Sequence, residues 1–154
     1  GKAIAILRKM GFRICVVTNQ SPIGRGLWGH DVLTQINDKL QELLLEEDQG
    51  AEIDLILYSP YAPSDDAWSR KPNPGMLEAG RQIIDNAHRF PGKSNILLFG
   101  DDWTDRPSES GSMLVGDRQS DISAAERFGV KGILCDSESG ISGVFETILD
   151  YVEG

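Results

Sequence analysis

Short apolar runs rich in β-formers alternate with segments of helical periodicity, and no other feature restricts the fold as tightly. Ala3, Ile6, Leu7 and Met10 share one helical face, and Gly11 suits the stop. Phe12 to Thr18 follows as a short apolar run, which reads as a strand buried on both faces and therefore parallel to its neighbours. Val32, Leu33, Ile36, Leu40, Leu43 and Leu44 then recur at helical spacing over 31–47, and Ile53 to Tyr58 is a second apolar run. Residues 59–74 form a loop holding four of the seven prolines, and Pro74 starts a helix over Met76 to Ala87. Ile96–Phe99 and Met113–Val115 are apolar runs separated by a polar loop. A short helix over 121–128 stops at Gly129, Val130 to Cys135 is a strand, and Ile141 to Val152 is amphipathic. The pattern predicts an α/β fold with a mostly parallel sheet and right-handed crossovers. Without linker or repeat, residues 1–154 read as a single domain.

Composition narrows the function classes. With 40% hydrophobic and 25% charged residues the chain is ordinary globular protein. No apolar run approaches the roughly 18 residues of a membrane span, and no basic-then-apolar leader opens the sequence, so a cytoplasmic protein without a membrane partner is expected. The net charge of −9 opposes a nucleic-acid or membrane-surface binder, though a locally positive site can still take a small anion. Cys15 and Cys135 lie in apolar runs and read as reduced, buried thiols.

In open α/β sheets, ligands gather at the carboxyl ends of strands. Three groups there can do chemistry. Thr18-Asn19-Gln20-Ser21, followed by Gly24-Arg25-Gly26, offers a hydroxyl, turn amides and a guanidinium to a phosphate, or is simply a polar turn. Arg70-Lys71-Pro72-Asn73-Pro74-Gly75 puts two cations before a helix, either to neutralise a phosphoryl group or as a solvated surface pair. Gly116-Asp117-Arg118-Gln119-Ser120-Asp121 puts one carboxylate at a strand end, where it can bind Mg²⁺. The other stands at a helix start, where it can cap the helix or hold the lysine.

In this order the three groups resemble the haloacid dehalogenase (HAD) superfamily of phosphotransferases. Within it, Val16-Val17-Thr18-Asn19-Gln20-Ser21, Arg70-Lys71-Pro72-Asn73-Pro74-Gly75-Met76-Leu77 and Val115-Gly116-Asp117 with Ser120-Asp121 are similar to the heptose-bisphosphate and histidinol-phosphate phosphatase group. Gly24-Arg25-Gly26 leans toward the heptose member. The resemblance implies a three-layer, Rossmann-like α/β/α core. It implies a Mg²⁺-dependent phosphomonoesterase acting on a sugar phosphate or bisphosphate through an aspartyl-phosphate. It casts Thr18, Lys71 and Asp121 as catalytic, with Asp121 orienting Lys71. Asp117 becomes the metal ligand, and Asn19, Gln20, Ser21, Arg25 and Arg70 grip substrate and phosphate.

Three departures accompany the resemblance. The family's first motif, an apolar strand ending Asp-x-Asp-Gly-Thr, does not occur in these 154 residues. That strand is central in the family, so the strands of Thr18 and Asp117 are expected to lack their shared neighbour and expose backbone groups. The expectation is a piece of a longer enzyme, inactive by itself; the alternative is an inactive HAD-like domain that binds a phosphorylated ligand or a protein partner. Residues 58–69 contain neither Cys nor His, so no structural zinc is expected. An insertion at about 88–111 carries a second Gly-Asp-x-x-x-Asp, Gly100 to Asp105, which Pro107 and the Ser/Gly run after it mark as a turn. The sequence leaves the oligomeric state open.

Overall fold

The computed structural model describes residues 1–92 and 96–154. Residues 93–95, inside the expected insertion, lie outside the described residues. Helix α1 (Lys2–Lys9) leads into strand β1 (Cys15–Asn19), a one-turn helix α2 (Ser21–Gly24) and the long α3 (His30–Glu47). Strand β2 (Leu55–Ser59) and α4 (Gly75–Arg89) follow. Strand β3 (Met113–Gly116), α5 (Gln119–Phe128), β4 (Lys131–Leu134), α6 (Gly140–Gly143) and α7 (Phe145–Glu153) complete the order. The α/β alternation is as the sequence requires. The stretch between β1 and α3 contains α2, and the final helix is broken at Val144.

Both strand pairs are parallel. β1 pairs with β2, with Thr18 opposite Tyr58, and β3 pairs with β4, with Val115 opposite Ile133. Among the described residues no strand joins the pairs, so there are two two-stranded sheets rather than one. Backbone alternation shows which edges stay open. Ile14 O accepts from Asp54 N at 2.8 Å and Gln20 N donates to Ser59 O at 2.7 Å, so the even-numbered groups of β1 face β2. Those of Cys15, Val17 and Asn19 therefore face away. Cys135 N donates to Gly116 O at 2.9 Å, which turns the groups of Met113 and Val115 away from β4 in the same manner. A cleft of about 1370 Å³ runs along both open edges, with Ile4 and Leu7 of α1, Gly80 and Ile84 of α4 and Ile148 of α7 among its walls.

This corrects one expectation and bears out another. β1 is not buried on both faces; all five of its residues are partly exposed. Among the described residues the strands that lead to Thr18 and Asp117 share no neighbour. The core on one side of the gap is built on Leu7, Ile133 and Ile148, with Phe12, Ile14, Met113 and Val115 packed against it. Of the apolar face expected on α1, Ala3 and Leu7 are buried, while Ile6 and Met10 remain exposed. The thiols of Cys15 and Cys135 are free, but they are only partly buried because both line the cleft.

The run Ile96–Phe99 forms no strand, and Ile96 is 88% exposed. A side chain occupies its backbone instead. Gln82 Nε2 donates to Leu98 O at 2.8 Å, and Leu98 N donates to Gln82 Oε1 at 2.9 Å. The following Gly100–Asp102 is a single 3₁₀ turn, in line with the reading of that second motif as a turn.

Candidate active site

The carboxyl ends of β1 and β3 meet the cleft from opposite sides, and the Lys71 loop closes against them. Thr18, Asn19, Gln20, Ser21, Arg25, Lys71, Asp117 and Asp121 all line this cleft. Arg70 is not among its lining residues; its guanidinium donates to Tyr61 O at 3.0 Å and braces the preceding loop. Arg118 and Ser120 also line the cleft and were not singled out from the sequence, although both stand inside the motif that was.

Lys71 is the most constrained of these groups. Its ammonium donates to Asp121 Oδ1 at 2.5 Å and to Val17 O at 2.9 Å, and the two side chains are only 11% and 7% exposed. Val17 O lies on the open edge of β1, so the lysine tip sits at that edge. The backbone of Lys71 is clasped by a side chain 52 residues away in sequence: Asn19 Nδ2 donates to Lys71 O at 3.0 Å and Lys71 N donates to Asn19 Oδ1 at 3.1 Å. Both polar ends of the Asn19 side chain are thus committed to holding the lysine. What Asn19 can still offer an anion is its main-chain N–H, which faces the open edge.

Asp121 serves both readings left open by the sequence. At the third position of α5, its Oδ2 accepts from Arg118 N at 3.1 Å and so caps the helix, while Oδ1 takes the lysine. Gly116 makes this approach possible. A Cβ there would stand 2.3 Å from Asp121 Oδ2 and 2.5 Å from its Cγ, so any side chain would expel the carboxylate. Gly24 has a similar duty: its N donates to Pro60 O at 3.1 Å, and a Cβ would lie 2.2 Å from that oxygen. This contact ties the Ser21–Gly26 turn to the exit of β2.

Thr18 Oγ1 accepts from Gln20 Nε2 at 3.1 Å, which leaves its proton free to donate into the cleft. The main-chain N–H of Gln20 is used by Ser59, so the turn offers fewer amides than a full cradle would. Arg25 is exposed at the cleft. Asp117 is exposed and no hydrogen bond engages its carboxylate among the described residues. Burial, and secondarily the Asp117 carboxylate, pushes the Cys135 thiol up from its ordinary value, which places the negative charge close to the end of β4. A hard oxygen ligand at a strand end suits Mg²⁺, which takes one or two carboxylates and fills its shell with water and phosphate oxygens. Among the described residues no three His, Cys, Asp or Glu side chains converge, so Asp117 would serve as one ligand of a shell completed by other groups. No helix among the described residues is long and apolar enough to cross a membrane.

Comparison with known proteins now bears on this geometry. A family model described as HAD-hydrolase-like matches residues 68–143. A D-glycero-beta-D-manno-heptose-1,7-bisphosphate 7-phosphatase of Pseudomonas aeruginosa is 36% identical, over 91% of this chain and 66% of its own length. The Pseudomonas putida protein of the same description is 33% identical, over 97% and 74%. A crystal structure of D,D-heptose 1,7-bisphosphate phosphatase from B. bronchiseptica, complexed with magnesium and phosphate, superposes with a TM-score of 0.68 at 26% identity, covering 97% of this chain and 80% of that one. The chain spans 66%, 59% and 74% of the length of the Pseudomonas aeruginosa, Mesorhizobium japonicum and Pseudomonas putida relatives.

Proposed function

The chain belongs to the HAD-like hydrolase family, and from that premise we propose that residues 1–154 form one HAD-like domain holding the phosphoryl-handling part of a Mg²⁺-dependent sugar-phosphate phosphatase, with heptose 1,7-bisphosphate as the first substrate to test. The observation that carries the reading is the Lys71–Asp121 pair at the open edge of β1, in a cleft that the unengaged carboxylate of Asp117 also lines.

In this reading Thr18 donates its hydroxyl, and Asn19 its main-chain N–H, to oxygens of the bound phosphoryl group. Lys71 balances the charge of that group, held in place by Asp121 on one side and Val17 O on the other. Gln20 fixes the rotor of Thr18, Ser21 stands beside the phosphoryl oxygens, and Arg25 reaches substrate from the cleft mouth. Arg70, outside the cleft, braces the loop that leads to Lys71 through Tyr61 O. Asp117 would hold Mg²⁺, which when bound supplies charge stabilisation for an anion attacked by another anion. In the HAD scheme the attacking group is a carboxylate of the Asp-x-Asp motif. Its oxygen bonds to phosphorus as the P–O ester bond breaks, a second carboxyl group protonates the leaving oxygen, and water then releases phosphate. Residues 58–69 offer no thiolate or imidazole to a structural zinc, and the free thiols fit the cytoplasm.

The second reading is a domain that binds a phosphorylated ligand without turning it over. Phosphate release from a panel of sugar mono- and bisphosphates, with and without Mg²⁺, separates the two in the natural polypeptide that contains these residues. Mg²⁺-dependent turnover that prefers heptose 1,7-bisphosphate is expected. Phosphate binding without turnover supports the inactive domain instead.

A further inference from the structure

We propose that Glu78 is a positioning residue for the phosphoryl site, tying the loop that bears Arg70 and Lys71 to the 100–106 segment of the insertion; this rests on the reading of Lys71 given above. Glu78 lies in the first turn of α4 and is 0% exposed. A buried carboxylate persists only when paired and hydrogen-bonded. Its Oε2 pairs with the Arg106 guanidinium and accepts from Gly100 N at 2.9 Å. Its Oε1 accepts from the indole N–H of Trp68 at 2.5 Å.

The indole bond is the informative one. Arg106 already neutralises the charge, so Trp68 is not needed for that. Trp68 is 46% exposed, so packing alone does not fix it. The hydrogen bond does, while Trp68 O accepts from Gly75 N at 3.0 Å. The residue is therefore gripped at both ends, three positions before Lys71. On the other side Arg106 lies 4.5 Å over the Trp103 ring, which is buried and stacks on Phe128 of α5, the helix that presents Asp121. Glu78 thus joins the element holding the lysine to the one holding its partner, through a segment that belongs to the insertion.

The test uses Trp68→Phe, Glu78→Gln and Glu78→Ala in the natural polypeptide, read by amide hydrogen exchange and by kcat/KM for heptose 1,7-bisphosphate. Trp68→Phe removes only the indole donor and leaves the Arg106 pair whole. It is expected to speed exchange about tenfold at the amides of Arg70, Asn73 and Gly75, with β1 and β2 unchanged, and to lower kcat/KM about tenfold. Glu78→Gln keeps an oxygen for the indole and is expected to keep the loop protected within about threefold, whereas Glu78→Ala behaves like Trp68→Phe. A carboxylate that merely neutralises Arg106 gives the opposite pattern: Trp68→Phe is neutral, and Gln is as damaging as Ala. That pattern overturns the proposal, as does faster exchange with unchanged kcat/KM, or the reverse. Trp68→Phe and Glu78→Gln decide the matter even where Glu78→Ala does not fold. An inactive wild type counts against the phosphatase reading, and the exchange pattern then decides the positioning role alone.

Discussion

Asp121→Ala is the substitution for which the structure gives the sharpest quantitative expectation. It leaves the Lys71 ammonium, 11% exposed, with Val17 O as its remaining partner, and it frees the Arg118 N–H that Oδ2 had capped. Breaking a buried pair from one side typically costs about 3–5 kcal/mol, because a charge stays behind without compensation. Were the pair effectively solvated, its loss would cost about 0–1 kcal/mol. For a chain of this size each kcal/mol moves Tm by about 2–4 °C, so the buried pair predicts a fall of roughly 6–20 °C and the solvated pair less than about 4 °C. A thermal melt followed by circular dichroism separates these ranges, given a single cooperative transition. Lys71→Met in the Asp121→Ala background sharpens the measurement, because it removes the stranded charge and should recover part of the lost stability. A Tm within about 2 °C of wild type for Asp121→Ala would refute the reasoning, as would a double variant whose loss equals the sum of the single ones.

Other consequences follow from the same geometry. Asp117→Asn keeps the side-chain shape and removes the charge, so it should raise the Mg²⁺ concentration for half-maximal phosphatase activity by about tenfold or more, read from a magnesium titration. Burial, and then the Asp54 carboxylate, push the Cys15 thiol up to about 11 from an ordinary 9.0. The folded state therefore holds that proton more tightly than the unfolded chain. The stabilisation is complete below pH 9 and is lost as pH rises towards 11. Urea midpoints should fall across that window in the wild type, and fall less in Cys15→Ala. Incubation with a zinc chelator at neutral pH should leave Tm unchanged, since residues 58–69 supply no thiolate or imidazole.

Much of this site was legible in the sequence because punctuation marks its parts. Gly116 before Asp117, Pro74 before α4 and Gly129 after α5 fix where strands end and helices begin, and strand ends are where α/β chemistry collects. Thr18 and Asp117 stand at such strand ends, whereas Lys71 and Asp121 were picked out by the motif order that resembles the HAD superfamily. What was not legible depends on contacts between distant segments. Asn19 looked like a phosphate ligand, yet its side chain spends both polar groups on the backbone of Lys71. Glu78 stands in a first helical turn with nothing in the sequence to mark it, and only the fold brings Trp68, Gly100 and Arg106 to it. Ile96–Phe99 carried the composition of a strand, but Gln82 took its backbone bonds before any ladder could. The burial of β1 was overestimated for another reason: apolarity records what a strand is suited to pack against, and its open edge lies along the cleft.

Lys71 is the cation proposed to balance the phosphoryl group. The decisive measurement is kcat for heptose 1,7-bisphosphate at saturating Mg²⁺, comparing the natural polypeptide containing these residues with its Lys71→Ala variant, with folding checked by circular dichroism. A fall of about 10²-fold or more is predicted, as loss of a preorganised charge stabiliser produces. Equal kcat in a folded variant would contradict it.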